Sequence, residues 1–250
     1  MKYISQIVFI SAILPQDLLT LLEDRFNINQ NKIIQGSTTR NNINYNIISN
    51  FDNSKITELT IVEQLLREKI YPNLRENDKA IIFTSTHNSV EYISKQFKIL
   101  GYHAKMENKA QVLEDFINKS ANKVIVGTTA LEVGLDIPGI RFSIHVNKVN
   151  GLTSLEQGIG RIGRDGRPSV AYIIANLAIY RPKKLRNTNL AMSKIEDFRD
   201  LDFNKLVEFI NSQKCCRIIL ESYFNNKSIE CCIEPMAKCY ICQQHDSILQ

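Results

Sequence analysis

Beyond residue 55 the hydrophobic positions follow two rhythms in turn. Residues 56–70, ITELTIVEQLLREKI, place apolar side chains at helical spacing, and AIIFTS that follows is an unbroken apolar run. NSVEYISKQFKIL is an amphipathic helix, GYHAKM a short strand, AQVLEDFINK a helix and NKVIVGTT a strand. RFSIHVN is then a strand, TSLEQGIGRI a helix and SVAYIIANL a strand. AIIFTS, NKVIVGTT and SVAYIIANL carry continuous apolar runs, so both faces of those strands must be covered. Alternating β and α units of this kind predict an α/β domain over residues 51–186, a parallel sheet with helices on both faces. Ligand-contacting loops are expected at the carboxyl ends of its strands, where GTTALEVGLDIPG and the Arg-Gly stretch described below are both placed.

The flanks read differently. Residues 6–13, QIVFISAI, form a β-branched run ended by Pro15 and predict a buried strand leading into a helix near 16–25. Such a strand needs a partner, and the Asn-rich segment that follows offers at most one more strand. Residues 1–50 are therefore expected to be the end of a preceding domain plus a linker. After residue 186 the periodicity changes. Residues 193–213 predict one or two helices, and a cysteine-rich segment completes a small module over 187–250.

Composition sharpens this outline in two places. The chain has 250 residues, 44% hydrophobic and 23% charged, enough for a sizeable core. Its net charge of +5 is modest, yet residues 157–190 hold seven basic side chains (Arg161, Arg164, Arg167, Arg181, Lys183, Lys184, Arg186) against Asp165 alone. A patch of that kind suits nucleic acid or nucleotide. All six cysteines fall within residues 215–242, where a secreted chain would spread them as staples, so one local metal site in a reducing compartment is expected. Cys239 and Cys242 have the C-x-x-C spacing that lets two thiolates hold one tetrahedral Zn²⁺. Cys215-Cys216 and Cys231-Cys232 each supply one further ligand, because adjacent cysteines do not readily share an ion. The start, Lys2 followed by IVFISAIL, falls short of a membrane span. An intracellular location is expected, nuclear in a eukaryote, with no membrane partner.

Residues 154–168, SLEQGIGRIGRDGRP, set Arg161, Arg164 and Arg167 three apart among glycines. Guanidinium forks match phosphate oxygens, and glycine lets a bulky anion approach the backbone. GIGRIG also satisfies G-x-G-x-x-G, but a helical pattern precedes it, a strand follows it, and no acid lies between Asp165 and Glu196 to hold a ribose. A dinucleotide-binding turn is thereby excluded.

Gln157, Gly160, Arg161, Gly163, Arg164 and Gly166 form Q-x-x-G-R-x-G-R-x-G, which resembles motif VI of superfamily 2 helicases. VGTTALEVGLDIP resembles motif V, AIIFTSTHNSVEYIS motif IV and VFISAILP motif III, while GYHAKM resembles the Tyr-His-Ala segment of RecQ helicases. The resemblance implies a RecA-like sheet and a part of an ATP-dependent 3′–5′ DNA helicase acting on single-stranded or partly duplex DNA. It implies that Arg161 and Arg164 act as arginine fingers on the γ-phosphate of ATP. Gly134, Asp136, Gln157 and Gly160 would sit at the nucleotide, and Thr84, Ser85, Thr128 and Thr129 would hold nucleic-acid phosphates. Strand capping is the competing role for the threonines, and His103 reads equally as a packed strand-end residue. The cysteine segment resembles the zinc-binding region of RecQ helicases, with a Cys-Arg start and Tyr223-Phe224. On that likeness Cys216 is taken as a ligand because Arg217 follows it, with Cys232, Cys239 and Cys242; Cys231 against Cys232 stays open.

The chain departs from the pattern in two ways. Ile13 stands where motif III usually has Thr, and no glycine precedes a lysine, so there is no G-x-x-x-x-G-K-[ST] loop; D-E-x-H is also missing. ATP with Mg²⁺ is thus expected only with a complete first domain, whose last strand residues 1–50 would retain. The alternative expectation is a catalytically inactive DNA-binding remnant.

Overall fold

The computed structural model describes residues 8–28, 32–36, 38–49, 56–131, 136–146, 149–183 and 195–248. The elements are α1 (Gln16–Phe26), β1 (Ile43–Ile48), α2 (Glu58–Leu65), β2 (Lys79–Phe83), α3 (His87–Phe97), β3 (Leu100–Tyr102) and α4 (Lys109–Asn118). They continue through β4 (Val124–Gly127), β5 (Ile140–His145), α5 (Leu152–Ile159), β6 (Ser169–Ile174), α6 (Ile195–Asn211), α7 (Cys216–Asn225) and α8 (Tyr240–Ile248). Local chemistry sets several boundaries. Thr57 caps α2 by accepting from the Thr60 amide at 3.2 Å, and Thr86 caps α3 by accepting from Ser89 at 3.1 Å. Beyond α2 the helix widens over Leu66–Ile70 and stops in a tight turn at Tyr71–Asn73, which contains Pro72.

The six strands form one sheet in the order β1-β6-β5-β2-β4-β3, every pair parallel. Alternate residues of each central strand point to opposite faces, and both faces are packed. Ile81 and Phe83 of β2 join the core under α4, α5, α6 and α7, while Ala80 and Ile82 join the core under α2 and α3. The α/β reading of the apolar runs is thereby realised.

Two expectations about the N-terminal segment change. Residues 8–14 form no strand: Val8 is 67% and Ile10 93% exposed, and no strand among the described residues pairs with them. The segment instead leads directly into α1. The second strand does exist as β1, but it pairs with β6 from Ile43–Ser169 to Ile48–Ile174 and forms the edge of the main sheet. A boundary at residue 51 would cut that strand from its sheet. Its pattern is that of an edge: Ile43, Tyr45 and Ile47 are buried while Asn44, Asn46 and Ile48 are partly open. Toward the other terminus, α6, α7 and α8 carry no separate core. Phe203, Leu206, Phe209, Leu220 and Cys239 are continuous with the apolar cluster under the sheet.

The amino-terminal rim of the sheet is held by charge. Asp78, immediately before β2, is 3% exposed and accepts from Arg141 Nε at 3.3 Å and from Arg167 Nη2 at 3.2 Å. Arg141, itself 4% exposed, also pairs with Asp165, whose carboxyl is held below the usual carboxylate range by that hydrogen bond. Arg167, itself exposed, is thereby paired with a buried acid. Replacing Asp78 by Ala leaves a buried guanidinium short of its partner. The expected loss is roughly 3 kcal/mol, read as a lower urea midpoint with unchanged slope.

Candidate functional site

The motif residues fall on two opposite ends of the sheet. At the carboxyl ends of β2 and β4, which are neighbours in the sheet, lie Thr84 with Ser85 and Thr128 with Thr129. Thr84 donates its backbone N–H to Gly127 O at 2.9 Å, which places the two threonine pairs side by side. Thr84 and Thr128 are buried, and the Thr128 hydroxyl accepts from the Ala130 amide at 3.3 Å, so the capping role does apply to it. Ser85 and Thr129 are exposed at the rim. His103 follows β3 at the same end. It is buried, stacked on His87 with centroids 4.8 Å apart, and its Nε2 lies 3.5 Å from Glu91. The packed reading of this histidine fits.

The Arg-Gly stretch is at the other end. It leaves the C-terminus of α5 and precedes β6, and Gly163 donates its N–H to the carbonyl of Ile140, the first residue of β5, at 2.8 Å. The expectation that this stretch shares the carboxyl-end face with Thr128 and Thr129 is therefore overturned. A helix that follows a parallel strand must run back across the sheet, and its C-terminus arrives at the strands' amino ends. Asp136 is at this end too: its Oδ1 accepts from Arg164 Nη1 at 2.5 Å. The motif V segment thus begins at one rim with Thr128 and reaches the other by Asp136; Gly134 lies outside the described residues. Gln157 is exposed, Gly160 and Arg161 are half-buried and Arg164 is exposed. The basic patch is also less naked than the sequence suggests. Arg164, Arg167 and Lys183 pair with Asp136, Asp78 and Asp200, all distant in sequence.

The loop of Arg161 and Arg164 is fixed from outside by residues the motif comparison had no reason to single out. Arg40 donates to the carbonyls of Gly160 (3.2 Å) and Gly163, and Asn42 Nδ2 donates to those of Gly163 (2.7 Å) and Arg167 (2.8 Å). Burial, followed by the nearby Arg164 charge, lowers the Arg40 pKa. Gly163 has φ +57°, and a Cβ there would lie 2.5 Å from both Asn42 Nδ2 and Ser169 Oγ, so only glycine fits the clamp. The start of α5 is secured as well. Asp202 of α6 accepts from the Thr153 amide at 3.0 Å and its hydroxyl at 2.8 Å, satisfying an N-terminal amide in the manner of a cap. Gly151 permits this approach, since a Cβ would stand 2.0 Å from Asp202 Oδ2.

In the middle of α5, Glu156 is 8% exposed and its Oε2 accepts from the Tyr45 hydroxyl at 3.1 Å. Burial pushes its pKa up to about 7, against the opposing pull of the Tyr45 hydrogen bond and the Arg217 charge. Burial also raises the Tyr45 pKa, with the Glu156 charge adding to the effect.

The third group is the cysteine cluster. The Sγ atoms of Cys215, Cys232, Cys239 and Cys242 lie within 4.8 Å of one another, with Cys215–Cys232 at 3.3 Å and Cys215–Cys239 at 3.7 Å. All six cysteines are free. Thiolates on one tetrahedral zinc stand roughly 3.8 Å apart, as follows from Zn–S bonds of about 2.3 Å, so the four donors fit a metal of that kind. One cysteine comes from each adjacent pair, as expected, but the first pair contributes Cys215 and not Cys216. Cys215 immediately precedes α7 in a non-helical conformation, whereas Cys216 begins the helix. The Cys216 thiol is 1% exposed beside the cluster, its pKa raised by a hydrogen bond to Cys239 and by burial. Of the second pair, Cys231 is exposed and Cys232 buried. Hydrogen bonding with the Cys215, Cys216 and Cys232 thiols draws the Cys239 thiol well below its ordinary value.

The Glu156 shift has a measurable consequence. Its folded pKa lies above the ordinary 4.5, so the associated stability is complete below pH 4.5 and is lost as pH rises through about 7. Glu156→Gln, which keeps an acceptor for Tyr45 without a charge, is expected to flatten the decline in melting temperature between pH 5 and 8. Identical profiles for the two proteins would show that Glu156 does not titrate in this range.

Residues 57–166 match the family described as the helicase conserved C-terminal domain. The ATP-dependent DNA helicase RecQ of Pasteurella multocida is 25% identical over 94% of this chain and 36% of its own length. RecQ of Haemophilus influenzae is 28% identical over 81% and 33%, and the RecQ-like DNA helicase blm-1 of Caenorhabditis elegans 25% identical over 95% and 24%. The chain therefore spans about a third of the length of the two bacterial relatives. Together with the motif order, the parallel sheet and the cysteine module in one continuous stretch, these likenesses support a RecQ-like superfamily 2 helicase C-terminal region.

Proposed function

We propose that this chain is the C-terminal part of an ATP-dependent DNA helicase that moves 3′ to 5′. Its carboxyl-end hydroxyls hold the phosphates of a single strand, and its amino-end arginines meet the γ-phosphate of ATP bound by a phosphate-loop domain. The observation that carries the reading is the division of motif V. Thr128 and Thr129 lie at the nucleic-acid rim while Asp136 lies against Arg164 at the other. One segment then responds to nucleotide at one end and touches the strand at the other, the arrangement a stepping motor needs. The Arg164–Asp136 pair suits such a role. Both side chains are exposed, at 38% and 84%, so the pair is weak and readily exchanged for phosphate. Arg167 does not share it, being held by buried Asp78. Backbone phosphate contacts made by Ser85 and Thr129 would register a strand without reading its sequence.

The same reading assigns Zn²⁺ to Cys215, Cys232, Cys239 and Cys242. Its chemistry there is structural: four thiolates close a tetrahedral shell with no open position. No helix among the described residues is long and apolar enough to cross a membrane.

Purified chain is expected to bind fluorescent oligo-dT with an affinity that falls steeply with salt, and Ser85→Ala with Thr129→Val should weaken it further without altering the salt slope. The chain alone, having no phosphate loop, should show no DNA-stimulated ATP hydrolysis. Salt-independent binding, or turnover at helicase-like rates, would contradict this assignment. For the metal, elemental analysis should return one zinc per chain, retained in Cys216→Ser and lost in Cys215→Ser; the reverse pattern would return the ligand role to Cys216.

A further inference from the structure

Arg217 is 0% exposed and heads the largest fully buried side chains in the protein. It sits in the first turn of α7, two residues after Cys215. Its Nη2 donates to three carbonyls: Arg40 at 3.1 Å, Ile43 at 2.7 Å and Ala237 at 3.2 Å. Its guanidinium carbon lies 5.5 Å from the centre of the Tyr45 ring, while Nε and Nη1 have no hydrogen-bond partner among the described residues. A buried cation so placed is costly to leave unsatisfied, so the carbonyls it binds are strongly held in position.

Those carbonyls connect two regions. Ala237 belongs to the segment that enters Cys239, and its own N–H donates to Asn41 O at 2.6 Å. Residues 40–43 are the segment whose side chains clamp the arginine loop, through Arg40 on Gly160 and Gly163 and Asn42 on Gly163 and Arg167. The backbone of Arg40 is thus gripped from the cysteine side, and its side chain grips the loop. A parallel path runs from the Tyr45 ring under Arg217 through its hydroxyl to Glu156, five residues before Arg161 on α5.

We propose that Arg217 is a positioning residue for Arg161 and Arg164: it transmits the ordering of the cysteine cluster to the arginine loop through residues 40–43, so that metal occupancy sets the order of the nucleotide-facing edge. The functional meaning rests on the assignment of those arginines to nucleotide. The mechanical link does not, and it can be measured by itself.

The experiment is amide hydrogen exchange by mass spectrometry on the zinc-loaded chain, before and after chelation, following peptides that cover residues 160–169 and, as reference, β2 and β4. In the native chain chelation is expected to speed exchange in 160–169 by about tenfold, the scale of one or two lost hydrogen bonds, with β2 and β4 unchanged. Arg217→Met should show the faster exchange already with zinc bound and respond little to chelation. Arg217→Lys, which can still donate to the carbonyls, should lie between. Unchanged exchange in 160–169, or an equal rise throughout the sheet, overturns the proposal. If Arg217→Met does not fold, Arg40→Met decides. That side chain is partly exposed, and its loss should loosen 160–169 while zinc content stays at one per chain; unchanged protection there overturns the proposal equally. Loss of loop order with unaltered nucleotide-site function in the complete helicase would count against the role of the arginines, not against the link.

Discussion

A single buried guanidinium ties together parts of this protein that are far apart in sequence. Arg217 lies wholly inside the fold, where a charge without partners would be strongly unfavourable. Its partners are drawn from places far apart in sequence: carbonyls of Arg40 and Ile43 ahead of and within β1, the carbonyl of Ala237 ahead of Cys239, and the face of Tyr45. All must be present together for any one arrangement to be acceptable. The edge strand, the cysteine segment and α5 therefore form one cooperative polar assembly buried in an otherwise apolar layer. The partner acid, Glu156, reaches it through Tyr45, and burial leaves that carboxyl near the midpoint of its titration at neutral pH.

The direction of the strands imposes the second constraint. In an all-parallel sheet every strand end of one polarity lies on the same rim, so loops leaving strands and loops entering them cannot mix. Hydroxyls of Thr84, Ser85, Thr128 and Thr129 follow β2 and β4 and collect on one rim. Arg161 and Arg164 precede β6 and collect on the other, with Asp136 ahead of β5. A strand of six residues separates the rims by roughly 20 Å. The motif V segment and the helices connect the two rims. α5 is held at its start by Asp202, at its middle by Tyr45 and beyond its end by Arg40 and Asn42.

The elements that were legible in sequence are those whose patterns are redundant. β2 and β4 are apolar on both faces, β5 alternates apolar with polar side chains, and α3 and α4 carry a clear apolar stripe, so periodicity alone locates them within a residue or two. The run at 6–13 misled because β-branched composition describes what suits a strand but says nothing of whether a neighbour exists to pair with it. Cys216 was favoured over Cys215 on its neighbour Arg217, yet the decision depends on where α7 begins: the residue before a helix can turn its thiol toward a loop, and the first helical residue cannot do so as freely. Arg40 and Asn42 had no signal at all, since an Asn-rich segment looks the same whether or not its side chains meet a loop more than a hundred residues away.

Sequence by itself determined the class of fold, the order of the helicase motifs and the presence of a four-thiol module, because each is written in local spacing that any folded form must respect. Tertiary structure decided which rim each motif occupies, which cysteine of each pair joins the cluster and which arginines remain exchangeable. Arg164 and Arg167 are three residues apart and chemically identical. Both side chains are partly open to water, but one pairs with an exposed acid and the other with a buried one that is also held by Arg141, so the first acid is solvated in exchange and the second is not.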